Sequence, residues 1–224
     1  MKQLLTLVLA AVMLCSCTAA EPEETDGRNY VDISRKETWY SMEYFETDSS
    51  LIENIIPAAT QILMVRADTV NDLLYTGSYH FEYGCEILKI YHDDSASLRV
   101  GDIISVFTTE GCMKASDAAA ILRYPMTYHG AKVLTEPCAD NDYISSSHFN
   151  AVPIETGRTY IVYLSSDSLE TYGYYREIGY SYLYEVVGED IYTGSERILS
   201  EMTLADAEKE IAEQLGRYAA DKTE

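Results

Sequence analysis

From residue 49 to residue 190 the chain carries short runs in which apolar and polar positions alternate with period two, and helical spacing flanks them on both sides. Ser49 and Ser50 with Glu53 have the form of a capping box. Leu51, Ile52, Ile55, Ile56 and Ala59 then make one apolar stripe, which predicts a helix that Pro57 shortens or kinks. A strand is expected from Gln61 to Val70, with Leu63, Val65 and Ala67 on one face and Met64, Arg66 and Asp68 on the other. Leu73 to Ser78, with Gly77, reads as a turn. The second strand, Tyr79 to His92, sets Phe81, Tyr83, Cys85 and Ile87 against His80, Glu82 and Glu86. Its phase is lost from Leu88, and Gly84 marks the expected bulge. After the polar turn at His92–Ser95, Leu98–Asp102 leads into a third strand, Ile103–Phe107.

Residues 108–151 show no sustained period, only a short Ala-rich helical segment from Ser116 to Arg123. Arg158–Ser165 is apolar on both faces, the pattern of a strand covered on both sides. Tyr172–Val187 is rich in Tyr, Ile and Val and is expected as one bent strand or as a hairpin around Gly179. Thr203 caps a final helix with the stripe Leu204, Ala207, Ile211, Leu215 and Tyr218. Asp206 stands in its first turn and Arg217 and Lys222 near its end, as the helix dipole favours.

The N-terminal pattern is different in kind. Met1-Lys2-Gln3 precedes a run from Leu4 to Leu14 that is apolar except for Thr6, the layout of a secretory signal. The run ends in Leu14-Cys15-Ser16-Cys17, which resembles the lipobox of bacterial lipoproteins. That resemblance implies a diacylglyceryl group on Cys17 and a chain anchored outside the cytoplasm on the bacterial cell membrane. The alternative is an ordinary secretory signal cut near Thr18-Ala19-Ala20. Glu21, Glu23, Glu24 and Asp26 follow, and nothing around them can bury apolar surface, so they form a solvated tether. Trp39, Tyr40, Tyr44 and Phe45 suggest that part of the next stretch docks on the body. The expected organisation is a signal peptide (1–16), a lipidated Cys and tether (17–48), a β-barrel domain (49–190) and a C-terminal helix with a tail (191–224).

Three strands, a short helix and two more strands is the order of the five-stranded OB-type barrel. The segments Ala59–Val65, Leu98-x-Val-Gly101-Asp102-x-Ile104-x-Val106 and Pro153-x-x-x-Gly157-x-x-Tyr160-x-Val162-x-Leu164 resemble small bacterial secreted or anchored barrels of undefined function. The layout is also similar to the netrin-like modules of metalloprotease inhibitors. Those insert a free N-terminal cysteine amine into the protease, a mechanism that a lipidated Cys17 behind a tether does not carry over. The expected fold class is thus mainly β, an OB-like five-stranded barrel with short flanking helices.

Composition then narrows the function. With 16 Lys+Arg against 37 Asp+Glu the formal charge is -21, and no basic cluster offsets it. Such a chain repels phosphate backbones, so no nucleic acid is expected as partner. Cys112 and Cys138 are the pair best placed for a disulfide, closing the 108–151 insertion. Cys85, between Phe81 and Ile87 in phase, reads as a buried small hydrophobe. His80 and His92 lie near Glu82, Asp93 and Asp94, but the spacing fits no zinc pattern, and Ser147-His148 has no nucleophile elbow around it. No metal, cofactor or catalytic residue is assigned. The most informative feature is the tyrosine: the chain has 20, and they crowd between Tyr172 and Tyr184. Tyr172, Tyr174, Tyr180, Tyr182 and Tyr184 are the candidate contact residues, able to stack on sugar rings or anchor a protein. The expectation is a non-catalytic, lipid-anchored binding or envelope-interaction module, its contact surface on the Tyr-rich strand and the 108–151 loop, with a protein or a glycan as partner. Two other readings are a surface hydrolase using carboxylates or a metal near His80 and His92, and a structural lipoprotein without a small ligand.

Overall fold

The computed structural model describes residues 29–32, 52–75, 79–117, 140, 142–146, 151–179 and 182–222. In chain order the elements are β1 (Asn29–Asp32), α1 (Ile52–Ala58), β2 (Gln61–Tyr75), β3 (Tyr79–Asp93), β4 (Ile103–Thr108), β5 (Gly111–Lys114), β6 (Asp142–Ser146), β7 (Thr159–Ser165), α2 (Leu169–Tyr172), β8 (Tyr175–Glu177), β9 (Tyr184–Val187), β10 (Asp190–Thr193), β11 (Ile198–Thr203) and α3 (Leu204–Asp221). The chain is mainly β, and β2, β3, β4, β8 and β7 close into a five-stranded OB-like barrel. β2 pairs antiparallel with β3 and with β7, and β3 pairs antiparallel with β4. The seam is β8, parallel to β4 at Val106–Tyr175 and antiparallel to β7 at Leu164–Glu177.

The inward residues of each strand fill the barrel. Leu63, Val65, Ala67, Phe81, Tyr83, Cys85, Ile87, Val106, Tyr160, Val162 and Leu164 are all buried in one cluster. β7 is apolar on both faces because its other face, Ile161 and Tyr163, lies under α1 and α3. In α1, Ile52, Ile55 and Ile56 are buried, and Pro57 near its end leaves the Ala59 N–H to Ile55 O bond intact at 2.9 Å. The Tyr182 hydroxyl accepts from the Ile52 N–H at 2.9 Å; Ser49 and Ser50, the expected caps, lie outside the described residues. Thr203 caps α3 as expected, in a reciprocal box with Asp206, and Ala207 and Ile211 are its buried positions.

Several expectations need correction. The segment expected as a turn from Leu73 is strand as far as Tyr75, so β2 and β3 form a long twisted ribbon. The register slips on β2 at Asp68 and Asn71 and on β3 at Leu88 and Tyr91, where the phase loss was visible. Gly84 is not itself the extra residue. It sits opposite the slip, where a Cβ would stand 2.4 Å from Thr69 Oγ1.

The 108–151 region is not irregular throughout. β5 and β6 pair antiparallel, β1 adds parallel to β6, and this second sheet joins the barrel core through Met113 and Ile144. The Tyr83 hydroxyl holds the junction, donating to Ile154 O at 2.7 Å and accepting from Cys112 N–H at 3.1 Å. Ala115–Asp117 is helical, and the rest of the expected 116–123 helix lies outside the described residues, as do Trp39, Tyr40, Tyr44 and Phe45.

Tyr172–Val187 is neither a hairpin nor one unbroken strand. β8 and β9 both lie antiparallel to β7, β8 at its C-terminal end and β9 at its N-terminal end, and residues 178, 179, 182 and 183 between them are not strand. Gly179 lets the chain pass close to Tyr163 there, since a Cβ at that position would stand 2.7 Å from Tyr163 Cβ and 2.8 Å from its ring. The β10–β11 hairpin, which extends the sheet beyond β9, falls in the stretch expected as helix and tail.

Candidate functional site

The loop between β7 and β8 is short and locally encoded. Leu169 is half-buried against the barrel core and fixes the single turn of α2. Gly173 ends that turn at φ +78°, and its N–H bonds Leu169 O at 2.9 Å. This left-handed position is open to glycine without strain. It reverses the chain so that the flanking side chains, Tyr172 and Tyr174, stack on each other with centroids 5.6 Å apart and planes at 11°.

The stack continues across the sheet. Tyr174 lies on Phe107 of β4 at 4.7 Å and 12°, and Phe107 lies on His80 of β3 at 4.7 Å and 22°. The result is a four-ring ladder, Tyr172–Tyr174–Phe107–His80, along the outer surface of the barrel. Outward alternation on β3 and β4 delivers His80 and Phe107, and the β4–β8 pairing brings Tyr174 beside them. Burial falls along the ladder: His80, Phe107 and Tyr174 are half-buried, whereas Tyr172 is 68% exposed.

A polar rim borders the rings. Glu82 faces Phe107 across the β3–β4 pair and accepts a hydrogen bond from the Ser105 hydroxyl. Arg176 faces Phe107 from β8 and lies 3.8 Å from Asp167. Burial raises the Tyr174 phenol, Tyr172 and Glu82 add to the rise, and Arg176 opposes it. Burial lowers the His80 imidazole, which favours the neutral ring. Farther along the same face Arg66 bridges Asp68, at 2.6 Å, and Glu86.

The other expected residues go elsewhere. Tyr184 is buried and Tyr182 half-buried against Tyr163 and the helices, so they present no open aromatic row; Tyr180 lies outside the described residues. His80 and His92 are not brought together. They stand at opposite ends of β3, separated by about 40 Å of extended chain. His92 Nε2 lies 3.0 Å from Asp94, beside the turn. Among the described residues no group of three or more His, Cys, Asp or Glu gathers as metal ligands. Cys85 is buried in the barrel, and burial pushes its thiol up to about 12. Cys112 is buried beside Tyr83, while Cys138 and Cys17 lie outside the described residues.

Two clusters built around buried carboxylates complete the inventory, both unforeseen from the sequence. Glu155, Arg158, Glu185 and Arg197 form a ring of ion pairs: Arg158 meets Glu155 at 3.0 Å and Glu185 at 2.5 Å, and Arg197 meets them at 2.9 and 3.0 Å. It ties the β10–β11 turn to the barrel. The Arg197 Nε–Glu185 contact is close but lacks hydrogen-bond alignment. At the end of β8, Glu177 is fully buried, and one of its oxygens accepts from the Gly179 N–H at 2.6 Å. Burial and then the nearby Glu110 carboxylate push its acid well above the ordinary range, against that hydrogen bond. The carboxylates of both clusters are buried, the arginines of the ring are only partly so, and both clusters belong to the framework.

No family model and no curated protein matches this chain.

Proposed function

We propose that the chain is a lipid-anchored, extracytoplasmic binding module, non-catalytic, whose contact surface is the Tyr172–Tyr174–Phe107–His80 ladder. One observation carries this reading. Tyr172 exposes a large aromatic ring to solvent, yet that ring is held in fixed orientation by a stack that runs back into the sheet. An exposed side chain with no binding role gains little from such a stack, because the same ring tucked under a helix would bury more apolar area. Holding it out, already ordered, lowers the entropic cost of receiving a partner. The anchor rests on Leu14, Ser16 and Cys17, and the acidic tether would hold the barrel clear of the membrane.

The test uses the full-length chain in cells. A benzophenone amino acid placed at Tyr172 should crosslink to a discrete partner or glycan, and the same group at exposed Ser195 on the β10–β11 turn should not. Equal labelling at both positions, or none at either, contradicts the reading. In parallel, Cys17→Ala should abolish incorporation of an alkyne-tagged fatty acid.

A further inference from the structure

The ladder borders a larger outer face of the barrel, and that face is acidic. Asp68, Glu82 and Glu86 point outward from β2 and β3, and Asp167 and Glu170 stand on the β7–β8 loop that carries Tyr172. Arg66 and Arg176 are its basic residues, and both are engaged: Arg66 bridges Asp68 and Glu86, and Arg176 lies 3.8 Å from Asp167. Lys89, farther along β3, is held at 2.8 Å by Glu208 of α3. Glu82 has the Ser105 hydroxyl as its donor, and neither Glu82 nor Glu170 has a cationic partner among the described residues. On a chain of charge -21 such a face repels polyanions and a second copy of itself. A neutral ligand laid across it would strip water from unpaired carboxylates and return no charge, a cost that a cationic ligand avoids.

The acids are also spread out. Glu82 and Glu86 lie about 13 Å apart along β3. Among the described residues no three acids converge as they would around a metal ion. A row of separated positive charges fits this spacing, and a point charge does not. Apolar surface lies between the carboxylates, with Phe107 opposite Glu82 and exposed Ile103 opposite Glu86. We infer that this face docks a basic segment of a partner protein, its Lys and Arg side chains laid along Glu86, Glu82 and the Tyr172 loop; this rests on the binding-module reading above. Lys and Arg suit a surface of that kind, because an apolar stem can lie on Phe107 and Ile103 while the charged head reaches a carboxylate. At the end of the ladder the far side of Tyr172 carries no other ring among the described residues. Its negative π face receives one cation of the segment. Glu170 stands in the same turn as Tyr172 and adds to the attraction.

Fluorescence anisotropy of a labelled peptide of alternating Lys and Ser, titrated with the full-length lipoprotein in non-ionic detergent, tests this directly. Peptides of alternating Glu and Ser and of alternating Gly and Ser are the controls. Saturable binding is expected for the Lys peptide alone, weakening as salt is raised. Tyr172→Ala should weaken it about threefold, the size of one exposed cation–π contact. Glu82→Gln with Glu170→Gln should weaken it roughly fivefold. Glu196→Gln with Glu201→Gln, on the β10–β11 hairpin, removes the same charge and should change it by less than about twofold. No binding of the Lys peptide, equal loss in the two double variants, or binding indifferent to Tyr172→Ala overturns the basic partner. The broader reading fails separately. A benzophenone crosslink from position 172 to a glycan, or to a protein segment without Lys or Arg, keeps the contact surface and rejects the charge assignment. Absence of both peptide binding and a crosslink from position 172 rejects the two together.

Discussion

Tyr174 lies flat on Phe107, ring centroids 4.7 Å apart and planes 12° from parallel, across the seam where β8 runs parallel to β4. That contact joins the strand that closes the barrel to the surface proposed for binding. The β7–β8 loop is thereby held against the sheet by its aromatic side chains as well as by Leu169 from beneath. The ladder is thus built on rigid elements, as a site requires if it is to present one geometry to its ligand.

The ion ring at Glu155, Arg158, Glu185 and Arg197 gives a stability prediction. Arg197 holds a left-handed φ of +55°, a conformation that a side chain adopts only when its surroundings compensate. Removing its guanidinium leaves Glu155 and Glu185, both nearly fully buried, with Arg158 alone. Arg197→Ala should cost about 3 kcal/mol and lower the melting temperature by roughly 6–12 °C. Arg197→Gly relieves the backbone and still loses the pairs, so it should also melt well below the parent. A melt of Arg197→Gly at the parent value would show that the ring contributes nothing.

Glu177 predicts a pH dependence. Its acid is raised in the folded state, so its contribution is fully present below the ordinary Glu value near 4.3 and is lost as pH rises toward the folded value. Stability attributable to this group therefore declines from about pH 4 upward. Glu177→Gln keeps the shape and an acceptor for the Gly179 N–H without the charge. Thermal melts should show the variant gaining several degrees over the parent at pH 8 and little at pH 4. An equal shift at both values contradicts a raised Glu177.

Cys85 gives a chemical test of the closed barrel. A buried thiol pushed up to about 12 is protonated at neutral pH and out of reach of reagents. Iodoacetamide at pH 8 should leave Cys85 unmodified in the native protein and label it fully in guanidinium chloride, with peptide mass spectrometry locating the site. Rapid native labelling would mean that the barrel opens at that position.

Much of the barrel was legible in the sequence because period-two patterning is local. Leu63, Val65 and Ala67, and Phe81, Tyr83, Cys85 and Ile87, announce inward faces that the core confirms. The capped helix at Thr203 was equally plain, since its box spans three residues. The signals failed where pairing is non-local. Nothing near Gly111 or Asp142 states that two short strands meet each other and β1. Tyr182 and Tyr184 alternate like a surface row, but residues on α1 and α3 cover them. Tyr172 and Tyr174 were singled out by local crowding alone. Phe107 was not, and His80 was weighed as a ligand rather than a stacking ring, because their alignment depends on β8 crossing to β4.

The account stands or falls on whether the ladder is a surface held open for a ligand or a piece of packing. The melting temperature of full-length Tyr172→Ala separates these most directly. Because Tyr172 is 68% exposed, its removal should leave the melt within about 2 °C of the parent, as for a surface substitution. A fall of roughly 6 °C or more, the size expected of a buried aromatic truncated to Ala, would mean that the stack exists to hold the fold together, and the binding assignment would be withdrawn.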